Sequence, residues 1–155
     1  MFKFKKSFLL LFTLFLGLSS CTNNDNNQST INVDTPIAST LIGKGSISNP
    51  NIPLQNTLIS NQTQWIALLA TMNSINNVSN NFTETNINFN LFDVVAVFRN
   101  PISNSTSTVD ITSIVETQTN RVVTVQYLIN GISADVAQTF HIVKIPKSIK
   151  PISFQ

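Results

Sequence analysis

The chain has 155 residues, with nine Lys and Arg against seven Asp and Glu, one cysteine and one histidine. A single cysteine excludes an intrachain disulfide, and one His beside one Cys falls short of the three or four ligands a zinc site needs. Charged residues make up only 10% of the chain and form no clustered basic face of the kind nucleic-acid binding requires.

Met1 to Ser7 carry Lys3, Lys5 and Lys6 and no acid, the positive start of an export signal. The apolar run Phe8 to Leu18 follows. It is too short for a membrane-spanning helix, which needs roughly 20 apolar residues, but long enough for the core of a signal peptide. It ends in Leu18-Ser19-Ser20-Cys21, which resembles the lipobox of bacterial lipoproteins. That resemblance implies cleavage between Ser20 and Cys21, a diacylglyceryl group on the Cys21 thiol, and acylation of the new amine. A thiolate is the nucleophile such a transfer needs. Residues 1–20 are therefore expected to be a signal peptide, with the membrane a partner through lipid on Cys21. The expected location is the cell envelope, at the outer membrane. Without the signal the chain keeps six Lys and Arg against seven Asp and Glu, a formal charge of −1. Two or more acyl chains anchor stably without help from a basic patch.

Residues 21–35 read as the lipidated N-terminus and a polar, Asn-rich tether, too poor in large apolar side chains to order itself. A coil of about 14 residues reaches roughly 20 Å. Residues 36–155 are long enough for one domain with its own core. Leu41-Ile42 and Leu54 to Ile59 are short strand candidates. Ser60 or Asn61 can cap a helix in which Trp65, Leu68, Leu69 and Met72 form one apolar stripe, ending before Asn76-Asn77. Stripes of this spacing are core, although Trp65 also suits a ligand platform. Asp93 to Phe98 is apolar on both faces, like a central strand covered on both sides. Val109, Ile111 and Val115 alternate with Asp110 and Thr112, which places Asp110 toward solvent. Arg121 to Ile129 puts Val123, Val125, Tyr127 and Ile129 on one face, and Asn130-Gly131 is a hairpin signal leading to a return strand over Val136 to Ile145. Pro146 stops that ladder, and Pro151 to Phe154 adds a short last strand. The fold class is α+β: a mostly antiparallel sheet, open or closed into a barrel, with one packed amphipathic helix.

No catalytic constellation emerges. His141 is the only base available to a Ser or Thr nucleophile, and it lies mid-strand among apolar residues, where a framework role is expected. Glu84, Asp93, Asp110, Glu116 and Asp135 stand at no spacing that suggests paired carboxylates, and the four glycines form no phosphate loop. Lys144, Lys147 and Lys150 recur every third residue; they either meet acidic partners or lipid phosphates, or discourage edge pairing. No cofactor and no metal are expected.

The motifs taken together are Gln62, Thr63 and Trp65 in the helix, then Ile87-Asn88-Phe89 with Phe92 to Phe98. Phe140-His141-Ile142-Val143-Lys144-Ile145-Pro146-Lys147 and Pro151-Ile152 with Phe154 close the series. Over residues 55–155 this resembles the C-terminal domain of the protease complex subunit PrcB family. Three features depart from that family. Its Gly-Gly-Tyr turn after the Val-rich strand is replaced by Asn100 to Thr108, which has no glycine; Phe140 stands for a Tyr; and Thr139 stands where Pro is common. The resemblance implies a non-catalytic accessory or interaction subunit of a surface or secreted protease complex. The alternative class is a small-ligand or glycan binder; the abundance of Asn, Ser and Thr either suits an uncharged glycan-facing surface or reflects a codon bias toward Asn, Ile, Lys and Phe.

Overall fold

A computed structural model describes residues 34–155 apart from 49–53, 75, 104–105, 130 and 132–133. The expected signal peptide, the Ser20/Cys21 cleavage and lipidation point, and all but the last two residues of the tether lie outside the described residues. Among the described residues no helix is long and apolar enough to cross a membrane.

In chain order the elements are β1 (Thr35–Pro36), β2 (Thr40–Ser48), β3 (Thr57–Ile59), α1 (Gln62–Met72), β4 (Phe92–Phe98), β5 (Thr108–Glu116), β6 (Arg121–Leu128), β7 (Ala137–Pro146) and β8 (Ile152–Phe154), with a 3-10 turn at Val78–Asn81. They form two four-stranded sheets, ordered β1-β5-β6-β8 and β2-β7-β4-β3. The sheets do not close into a barrel. All pairings are antiparallel except β6 with β8, which is parallel. The fold is α+β, as the alternation of residues implies. Thr35, placed at the end of the tether by its polar context, instead pairs with Glu116 in β1.

The β2-β7-β4-β3 sheet lies between two cores. On one face Trp65, Leu68 and Met72 of α1 pack against Val94, Ala96, Phe98, Phe140 and Ile142. On the other, Val95, Val97, Val143 and Ile145 meet Val109, Ile114 and Val123 of the second sheet. This accounts for β4, which is buried on both faces as its unbroken apolar run requires. α1 begins at Asn61, whose side chain accepts the Gln64 backbone N–H. Trp65 is fully buried and its indole N–H donates to the Thr85 carbonyl at 2.8 Å, so it is core and no platform.

β6 and β7 do not pair as the hairpin expected across Asn130-Gly131. Gly131 has φ 71°, in the left-handed region as expected. Yet β6 pairs with β5 and β8, while β7 pairs with β2 and β4 in the other sheet. The reason lies in β7, where Phe140 and Ile142 face one core and Val143 and Ile145 the other. A strand with two apolar faces gains more in a central position than beside β6, whose Gln126 is exposed. A second departure is a register shift between Ile111 and Ser113, which makes Ile114 rather than Val115 the buried residue.

Candidate functional site

One end of the sandwich carries an open groove of about 630 Å³, lined by Gln55, Asn56, Phe98, Arg99, Asn100, Ile102 and Tyr127. Its walls come from three parts of the chain and are fixed by specific bonds. The Gln138 side chain, fully buried, accepts the Leu54 N–H at 2.9 Å and donates to the Leu54 carbonyl at 2.8 Å, which pins the approach to β3. Asn56 continues the β3–β4 ladder, its Oδ1 accepting the Phe98 N–H at 2.7 Å. The Arg99 backbone N–H donates to Thr139 at 3.0 Å, and Ile102 exchanges two 3.1 Å bonds with Ala137. The segment that follows β4 thus begins as the groove's wall, with Asn100 and Ile102 lining it.

Arg99 and Tyr127 dominate the site. The guanidinium lies 5.8 Å from the centre of the Tyr127 ring, and its Nη1 donates to the Leu128 carbonyl at 3.0 Å. Tyr127 follows Val123 and Val125 on the inward face of β6, but it lines the groove and is 48% exposed. Ile129, expected on the same covered face, lies past the end of β6 and is 67% exposed. A smaller crevice of about 90 Å³ shares Asn56 and Tyr127 and reaches Phe154 and Gln155. Sequence reasoning did not single out Arg99. The available signal was its isolation: it is the only cation between Lys44 and Arg121, immediately after the Val-rich strand.

His141 sits at the junction of the two sheets, away from the groove's lining. Its Nδ1 accepts the Ile111 N–H at 3.1 Å and stands 3.3 Å from Asp110 Oδ1. A nitrogen that accepts an amide proton carries none of its own, so this bond favours the neutral ring with its proton on Nε2, while the Asp110 carboxylate beside the same nitrogen favours a proton there. Burial holds the His141 pKa below its usual 6.5, helped by the nearby Lys44 charge and opposed by Asp110. Among the described residues no hydroxyl hydrogen-bonds to the ring.

Asp110 does not face open solvent. It pairs with Lys44 and turns toward His141, because the edge of β5 abuts β7 at this point. Glu84 pairs with Lys144, Asp93 with Lys147 at 3.0 Å, and Glu116 with Arg121 and Lys150, both at 2.9 Å. The lysine series therefore ties the C-terminal strands to the fold. Lys144 lies on a central strand with no edge to protect. Asp135 has its own interactions. Among the described residues no three His, Cys or acidic side chains come close enough to hold a metal.

The chain matches no family model, no curated protein and no solved structure.

Proposed function

We propose that this chain is a lipid-anchored protein of the cell envelope, held at the outer membrane through Cys21, and that its domain is a non-catalytic interaction subunit. The resemblance to the PrcB family extends the proposal to a surface or secreted protease complex as its setting. The observation that carries it is the groove at the Arg99–Tyr127 end. It joins Arg99, which among the described residues has no carboxylate partner, to the half-exposed Tyr127 and to Phe98 and Ile102, a combination that interfaces favour and bare surfaces do not need. The Ile111 amide donating to the His141 ring supports a framework role for that residue.

A second reading, a small-ligand or glycan binder, draws on the amides of Gln55, Asn56 and Asn100 beside the Tyr127 ring. A groove of about 630 Å³ lies in the range of small-ligand sites. The test is capture of the full lipidated chain from its own envelope, with mass spectrometry of what accompanies it. A stoichiometric protein partner supports the interaction subunit. Recovery of the chain with envelope oligosaccharide and no protein supports the binder instead.

A further inference from the structure

We infer that the groove receives a carboxylate from an acidic, aliphatic-flanked segment of a protein partner, gripped by Arg99. This rests on the interaction-subunit reading above and names the chemistry of the partner. The first argument is charge. Lys44, Arg121, Lys144, Lys147 and Lys150 each have a carboxylate partner within ion-pair distance. Among the described residues Arg99 has none, and no residue lining its groove is acidic. In a domain that matches its other cations one by one, an unmatched guanidinium in a concave site is a receptor for an anion.

The second argument is preorganisation. The Tyr127 ring and the Leu128 carbonyl hold the guanidinium, and that carbonyl engages Nη1 alone. A guanidinium has five N–H donors in a planar fork, so donors remain for a two-pronged grip on a carboxylate. The Asn56 oxygen is taken by the Phe98 amide, so what Asn56 offers the groove is its NH₂, a further donor.

The third argument selects the source of the carboxylate. Phe98, Ile102 and Tyr127 line the groove beside Arg99, and Tyr127 is half exposed there. Apolar walls beside hydrogen-bond donors suit Glu or Asp set among Leu, Val or Ile. A free phosphate would leave those walls unused.

The probe is a fluorescein-labelled peptide, Leu-Glu-Leu-Glu-Leu, titrated with the full chain in detergent micelles, against its Leu-Gln-Leu-Gln-Leu twin and unlabelled trigalacturonate. The expected result is binding of the Glu peptide, about tenfold weaker binding of the Gln twin, and a similar loss for Arg99→Gln, with Arg99→Lys between. The comparison of the two peptides needs no variant, so it decides the matter even if Arg99→Gln folds poorly. Equal binding of the twins, binding of neither, or full affinity in a folded Arg99→Gln overturns the proposal. Displacement of the peptide by trigalacturonate at lower concentration than by unlabelled Glu peptide overturns it in favour of a glycan. An envelope protein captured equally by wild type and Arg99→Gln leaves the interaction subunit standing and overturns the carboxylate grip alone.

Discussion

Trp65 shows how much one residue carries. Its ring is fully buried and stacks on Phe82 at 6.3 Å between centroids, and its N–H is satisfied by Thr85. Trp65→Ala is expected to cost about 3–5 kcal/mol, read from urea unfolding of the domain. An unchanged midpoint would contradict the core assignment. Thr139 predicts the opposite sign. It is buried and its Oγ1 has no hydrogen-bond partner, so Thr139→Val exchanges an unpaired hydroxyl for a methyl of similar size. A gain of about 1 kcal/mol in the same assay is expected. His141 gives a pH dependence. Its pKa in the fold lies below the usual 6.5, so the fold favours the neutral ring. That contribution is complete above the unfolded pKa and is lost as pH falls through the folded one, because the unfolded chain takes the proton first. Urea midpoints from about pH 7 down to about pH 5 should fall in the wild type and fall less in His141→Asn, whose amide oxygen can still accept the Ile111 N–H. Parallel slopes in the two proteins would remove His141 as the cause.

At the scale of elements, the sequence was legible where the apolar pattern alone decides. The stripe of Trp65, Leu68 and Met72 forms α1, and the run from Asp93 to Phe98 forms a strand covered on both faces. It was misleading where a local signal competed with a distant one. Asn130-Gly131 favours a hairpin, but β7 carries apolar residues for two cores and takes the centre of the other sheet. The shift between Ile111 and Ser113 left no mark in the residues, since either Ile114 or Val115 could fill the inward position. β2 read as a two-residue fragment because Gly43 and Gly45 break its pattern. Gly43 is there for space: a Cβ would stand 2.4 Å from Phe82 Cδ1. Gly43→Ala is therefore expected to push the Phe82 ring off its seat against Trp65, at about 1–3 kcal/mol by urea unfolding. Stability equal to wild type would mean that Phe82 moves freely. Glu116 joins β5 to the C-terminal segment. Its hydrogen bond from Lys150, then that from Arg121, holds its carboxyl below the usual range, so this tie persists until the pH falls below that of an ordinary carboxylate.

For the whole molecule, the candidate site was only partly legible. Tyr127 was visible as a strand residue, but its exposure belongs to the groove it shares with Gln55, Asn56, Phe98 and Arg99, a property of the assembled fold and of no single segment. Arg99 became informative once the other described cations were found paired. The proposed anchor is a separate matter, read from the basic start, the apolar run Phe8 to Leu18 and Leu18-Ser19-Ser20-Cys21. Cys21→Ala is expected to abolish palmitate labelling and release the protein from the membrane fraction. The central claim, an anchored subunit that holds a protein partner at the Arg99–Tyr127 groove, is tested most directly by quantitative capture of the full chain from its own envelope beside Tyr127→Ala. The account expects one protein recovered in near-equal amount with the wild type and depleted with the variant, at unchanged recovery of the chain itself. Equal recovery with both, or no accompanying protein with either, would contradict it.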